Sequence, residues 1–293
     1  MTEENERERE RIKKAFEKTV NRHGYGFHYR VIKQAYELSR NIPVSSPWRF
    51  EASEVPVEVQ GQGTRIDFVL SHRDYNTPFY MLAECKRANP ALSNWCFARS
   101  PFTRRGLRPS RIILERAMVD SGRNVYTLTQ SQDVGKSVYH IALEVKSNTS
   151  GDPQSSGRGA IEDAATQVLR GLNGMVNFLS HNEQLFHEYK SIDLFPVIFT
   201  TAQIWVSQAD LSNADLMTGN LDLSQIGLDK ADWILYEYNT SPGLKHPYSY
   251  NEKAKSLAEV LHHEYVRTIA VVGPTGIGSF LAWSGGIWMG DAG

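Results

Sequence analysis

Two strand-like segments, Thr64–Leu70 and Phe79–Lys86, joined by the turn-rich run Arg73-Asp74-Tyr75-Asn76-Thr77-Pro78, constrain this chain more than any other feature. Alternation along a strand sends Glu84 and Lys86 to one face and Met81, Ala83 and Cys85 to the other. Turn residues between two such runs predict a hairpin, and a hairpin brings Asp67 to Glu84 and Lys86. Two carboxylates so placed suit a hard divalent cation held through oxygen ligands, with an ammonium beside the water that the cation polarises.

An acid two residues before a lysine is common, and this chain has three: Glu84-Cys85-Lys86, Glu144-Val145-Lys146 and Glu188-Tyr189-Lys190. The third follows a polar, His-rich stretch that reads as a helix end, where the pair is a solvated surface feature. The second ends the apolar run Val138–Leu143 and reads as a strand, but no Asp-bearing strand lies just upstream. It remains a rival in which Glu144 and Lys146 replace Glu84 and Lys86 while Asp67 stays a ligand.

An acid, a spacer and Glu-x-Lys resemble the restriction-endonuclease-like (PD-(D/E)xK) nucleases. Ile66 stands where that signature usually has Pro. The resemblance covers roughly residues 25 to 240 in element order. It implies an α/β fold: a mixed central sheet flanked by helices, a restriction-endonuclease-like core. It also implies Mg2+ or Mn2+ at Asp67, Glu84 and the carbonyl of Cys85, with Lys86 acting on the attacking water. In parts of the family an acid on the first helix adds a metal contact, which here would be Glu37. A Gln on the helix after the Glu-x-Lys strand lies near the water, here Gln167, although Gly171 replaces the aromatic expected four residues later. DNA is the implied substrate, in the setting of restriction, repair or phage defence. The alternatives are an RNA-directed phosphodiesterase and a non-catalytic nucleic-acid-binding or scaffold subunit of the same fold. A homodimer or membership of a larger complex fits either.

The expected organisation is a charged arm at 1–20 followed by a single nuclease-like domain at 21–293 with a basic insertion at 87–137. The arm alternates acids and bases with few apolar positions and reads as a solvated helix. Phe27, Val31, Ala35 and Leu38 recur at helical spacing and predict the first core helix. Val55–Val59 alternates as a strand before the Gly61-Gln62-Gly63 turn, with Glu58 opposite the three valines and thus a candidate for the site. After Lys86, nine basic residues face three acids up to Ser137, with Trp95, Phe97 and Phe102 interleaved. Phosphate neutralisation and base stacking need those residue types, so Arg87, Arg99, Arg104, Arg105, Arg108 and Arg111 are candidates for a nucleic-acid clamp.

Farther on, Ala160–Leu179 reads as a helix, Phe195–Val206 and Asp232–Tyr238 as strands, Ser256–Tyr265 as a helix and Thr268–Val272 as a last strand. The Gly273–Phe280 loop resembles a phosphate-binding loop but has Ser279 and Phe280 where Lys and Ser/Thr are required, and reads as a turn into an apolar helix. A net charge of −1 excludes a globally basic nucleic-acid binder. Two cysteines, Cys85 and Cys96, provide neither a disulfide framework nor a zinc cluster, and the histidines show no metal-ligand spacing. The absence of a signal-like start or an apolar span predicts a cytoplasmic protein with no membrane contact.

Overall fold

The structure is a computed structural model, and it describes residues 3–40, 48–72, 78–102, 110–120, 124–146, 159–186, 190–222, 227–240 and 256–287. The strand around which it is built is β9, Ser191–Thr200, buried at every residue. A near-continuous apolar run is what a strand covered on both faces requires, and in β9 only Ser191, Asp193 and Thr200 interrupt it. On one side β9 pairs in parallel with β3 (Phe79–Lys86), from Phe79↔Asp193 to Lys86↔Thr200. Its other side is shared. The first half pairs antiparallel with β5 (Arg111–Val119), and the second half pairs in parallel with β13 (Val266–Val272).

The rest of the large, nine-stranded sheet grows outward from these strands. β2 (Gln62–His72) runs antiparallel to β3 and β1 (Trp48–Val59) antiparallel to β2. Beyond β13 lie β12 (Trp233–Asn239) and β7 (Val138–Tyr139), and β6 (Val125–Asp133) pairs with β5. A four-stranded sheet contains β11 (Leu228–Ala231), β10 (Gln203–Ser207), β4 (Asn94–Ala98) and β8 (Ile141–Val145), in that order. The fold is thus α/β, a mixed multi-stranded sheet flanked by helices.

Each face of the large sheet has its own core. Beneath α3 (Gly159–Ser180) lie Ile66, Leu82, Leu194 and Ile198, joined by Trp95, Phe97 and Ile204 from the small sheet. On the opposite face α2 (Tyr25–Arg40) and α5 (Ile277–Ile287) bring Val31, Phe280 and Leu281 onto Phe68, Met81 and Phe199. The remaining helices are α1 (Glu3–His23), exposed along nearly its whole length, and α4 (Leu257–Tyr265), which leads into β13. Among the described residues no helix is long and apolar enough to cross a membrane.

Three sequence expectations change. Phe195–Val206 is not one strand: β9 ends at Thr200, and β10 starts at Gln203 in the other sheet. The run before Glu144 likewise splits at His140 between β7 and β8, which belong to different sheets. Segment 87–137 contributes β4, β5 and β6 to the two sheets, and its Trp95 and Phe97 are fully buried core rather than stacking surfaces. The Gly273–Phe280 turn behaves as read. Thr275 donates a hydrogen bond to Asp232 at 2.5 Å, Gly273 N–H donates to the Asp232 carbonyl at 2.9 Å, and α5 follows.

Gly174 sits where α3 crosses β1, and a Cβ there would lie 2.5 Å from Val57 Cγ2. Overpacking of this kind costs about 1–3 kcal/mol. Gly174→Ala is expected to lower stability by that amount in urea unfolding; an unchanged midpoint would show that α3 can rise off β1 freely.

Candidate metal and catalytic site

The β1–β2 hairpin turns at Gln60-Gly61, both with positive φ (52° and 74°), as a two-residue type I′ turn requires. From Val59↔Gln62 the register runs outward to Val55↔Ile66 and Ser53↔Phe68, which leaves Glu54 opposite Asp67. Both strands are irregular there. Glu54 has φ 52°, a conformation that side-chain-bearing residues adopt rarely and at a cost. Ile66 and Phe68, two residues apart, fall into opposite cores, so the pleat is broken at Asp67.

That break points the Asp67 carboxylate along the sheet toward β3. The β2–β3 ladder ends at Phe68↔Ala83. Just past its end Asp67 Oδ2 accepts a hydrogen bond from Cys85 N–H at 2.7 Å. Along β3, Met81 and Ala83 enter the α2-side core, and Cys85 packs against it. Leu82 enters the α3-side core, so alternation places Glu84 and Lys86 on that face, together, as the sequence predicts.

The other face supplies two groups that sequence reasoning missed. His28, from α2, places Nε2 3.1 Å from the Asp67 carbonyl oxygen and Nδ1 3.8 Å from Glu54 Oε1. A carbonyl only accepts, so Nε2 carries the hydrogen, leaving Nδ1 to a proton or to a cation. Ligand atoms of His28, Glu54 and Asp67 lie within 4.8 Å of one another, a separation that suits one metal ion. Asp67 thus belongs to the His28–Glu54 cluster on the α2 side, while the charges of Glu84 and Lys86 on the α3 face are felt between the two groups.

The electrostatics are those of crowded acids. Burial pushes the Glu84 carboxyl up to about 9; the negative charge of Asp67 adds to this, Lys86 opposes it and Glu54 adds again. Burial also holds Asp67 above the usual carboxylate range, against the Cys85 N–H bond and the charges of His28 and Lys86. Burial pushes the Cys85 thiol well up, as expected of an inert core cysteine.

The auxiliary candidates do not join this cluster. Glu37 is exposed on α2 and pairs with Lys33 at 3.6 Å, so the helix residue facing the carboxylates is His28. Glu58 is exposed, paired in the ladder with Gly63 near the turn, and the acid opposite Asp67 is Glu54, four residues earlier. Gln167 is exposed on α3 and has no hydrogen bond to the carboxylates among the described residues. Gly171 stands in place of the expected aromatic because α3 lies so close to β2 that a Cβ would be 2.9 Å from Ile66 Cγ1.

Glu144 has a different occupation. It is buried on β8 in the small sheet, and its Oε1 accepts the Ile161 N–H at 3.0 Å in the first turn of α3. Glu188 and Tyr189 of the third Glu-x-Lys lie outside the described residues, as do Arg104, Arg105 and Arg108. Arg87 is exposed and donates to the Asn21 carbonyl, Arg99 lies 5.9 Å over the Tyr139 ring and Arg111 is half-buried at the start of β5.

Compared with protein-family models, with curated proteins and with solved structures, the chain matches none.

A carboxyl whose folded pKa lies above its unfolded value favours the fold only while protonated. For Glu84 that contribution is complete below about 4.5 and is lost as pH rises toward about 9. Glu84→Gln is therefore expected to melt close to wild type at pH 4.5. It should melt above wild type at pH 8, the gap widening by at most about 1.4 kcal/mol per pH unit. A pH-independent gap in metal-free melts would exclude Glu84 as the titrating group.

Proposed function

We propose that this chain is a metal-dependent nuclease of restriction-endonuclease-like fold that hydrolyses phosphodiester bonds in DNA. The observation that carries the reading is the Asp67 carboxylate, anchored by Cys85 N–H at the end of the β2–β3 ladder. There it meets a buried Glu84 and Lys86 on one side and His28 and Glu54 on the other. Buried carboxylates that repel one another are stabilised by a cation between them.

The donor set fits Mg2+ or Mn2+. Carboxylate oxygens suit both, and an imidazole nitrogen moves the preference toward Mn2+. Asp67 with Glu84, and the Cys85 carbonyl as the resemblance implies, would hold one ion; Asp67 with Glu54 and His28 Nδ1 supports a second position. When bound, the ion polarises a phosphoryl oxygen and lowers the pKa of water. Lys86 shares the face of Glu84, so its ammonium orients the attacking water and offsets charge on the phosphate. His28, held by the Asp67 carbonyl, fixes that acid against α2.

Plasmid cleavage in Mn2+ tests the reading. Wild type is expected to cut, and Asp67→Ala and Lys86→Ala to lose about 10²-fold or more; equal cleavage by all three would overturn it. Glu144→Gln separates the rival Glu-x-Lys, since it should cut at the wild-type rate once folded. His28→Ala is expected to raise the Mn2+ concentration needed for half-maximal cleavage by about tenfold or more. An unchanged requirement would confine the cation to the Glu84 side.

A further inference from the structure

The edge of the large sheet that carries Lys86 also carries a cavity of about 360 Å³, within the roughly 300–1,000 Å³ of ligand pockets. Both sheets line it: Lys136 and Tyr139 beside and on β7, Asp232 and Trp233 at the start of β12, and Val206 on β10. The Lys136 ammonium stands 5.2 Å over the Trp233 ring, and the Arg99 guanidinium 5.9 Å over Tyr139. Trp233 is half-buried and braced from within the fold, with ring centroids 4.4 Å from Trp283 and 5.6 Å from Phe280. Lys136 is exposed. A fixed aromatic face with mobile cations beside it is what stacks a nucleobase and neutralises its phosphate.

Strand register relates this cavity to the carboxylates. Lys86 lies beside Thr200 on β9, Phe199 beside Val272 on β13, and Val272 opposite Trp233 on β12. Three interstrand steps thus separate the backbones of Lys86 and Trp233, about 14 Å at ~4.8 Å each; Lys86 turns to the α3 face and the Trp233 ring to the α5 side, so a strand joining them passes over the sheet's edge. That spacing is about four nucleotides at the ~3.4 Å rise per strand of a duplex, and fewer along a stretched single strand.

We infer that the Lys136–Trp233 cavity is a base-stacking subsite for the nucleic-acid strand whose phosphodiester lies at Lys86. The inference rests on the nuclease reading and extends it to how the strand is gripped. A nucleobase takes the face of Trp233 that Lys136 now covers. Lys136 turns to the adjoining phosphate, and Arg99, over the ring of the lining Tyr139, is a second cation nearby. The carboxylate of Asp232 on the rim turns phosphates toward the Lys136 side. Stacking on an indole accepts any base, so the subsite favours strands with bases over strands without them and reads no sequence.

The test uses the full chain in Ca2+ in place of Mn2+, with a short oligothymidylate and an abasic oligomer carrying the same number of phosphates. Wild type is expected to bind the base-bearing strand about tenfold more tightly by fluorescence anisotropy. That strand alone should quench the indole emission. Trp233→Phe keeps a ring in the core and should still bind, without the quenching; Trp233→Ala should lose the preference for bases. Equal affinity for the two strands in wild type, or quenching that survives Trp233→Phe, would overturn the subsite. The nuclease reading would then stand, because both strands would still bind in a salt-dependent manner. Failure of both strands to bind at low salt would overturn the nuclease reading and the subsite with it.

Discussion

Everything in this fold is referred to β9, because a ten-residue strand buried along its whole length must find partners on both sides. Its branched pairing, β5 along the first half and β13 along the second, leaves backbone and charge to be satisfied where the two neighbours meet. The side chains there meet part of that demand, although both Glu115 carboxylate oxygens are buried without a hydrogen bond. Thr268 of β13 accepts the Ile113 N–H of β5 at 2.8 Å, and buried Arg267 lies 2.6 Å from buried Glu115. Asp193, the one acid within β9, is held by a two-pronged Arg116 at 2.6 and 2.7 Å, the bidentate geometry that is strongest for this pair. These polar pairs fix β5 and β13 in register. Register in turn aligns the carboxyl ends of β3, β9 and β13 along one edge, where Lys86 stands.

The elements themselves were largely legible because their signals are local. Helical spacing at Val31 and Ala35, the apolar stripe of α3 and the alternation of β3 each depend on a few neighbouring residues. The breaks at His140 and at Thr201-Ala202 were not, because β7 and β8, or β9 and β10, share the β-branched composition of any strand. They differ only in the distant strands with which they pair. Part of the arginine-rich stretch is structural for a related reason. Charge counting cannot see that Arg116 is consumed by Asp193 or that Trp95 is a core residue.

The site divides along the same line. Glu84 and Lys86 follow from alternation in one strand, and Asp67 from the adjacent one. Glu54 was within reach: counting outward from a Gln60-Gly61 turn puts it opposite Asp67, whereas the valine alternation drew attention to Glu58. His28 had no local signal at all. It lies 39 residues before Asp67 and meets it only because α2 packs over Phe68.

Glu84 and Glu144 show why burial does not by itself mark chemistry. Both are acids of a Glu-x-Lys on a strand and both are almost fully buried. The carboxylate of Glu144 faces the first turn of α3, where the Ile161 backbone N–H donates to it at 3.0 Å and one of the helix's unpaired N–H groups is thereby satisfied. Burial pushes the Glu84 carboxyl up to about 9, with the charges of Asp67 and Glu54 adding to it and Lys86 opposing. The first arrangement is complete as it stands and locks a helix onto a sheet. The second is electrostatically short of positive charge, a deficit that the divalent cation of the proposed function would supply by binding oxygens of several carboxylates at once. On the proposed nuclease reading, a cation bound at this edge would displace the Glu84 proton.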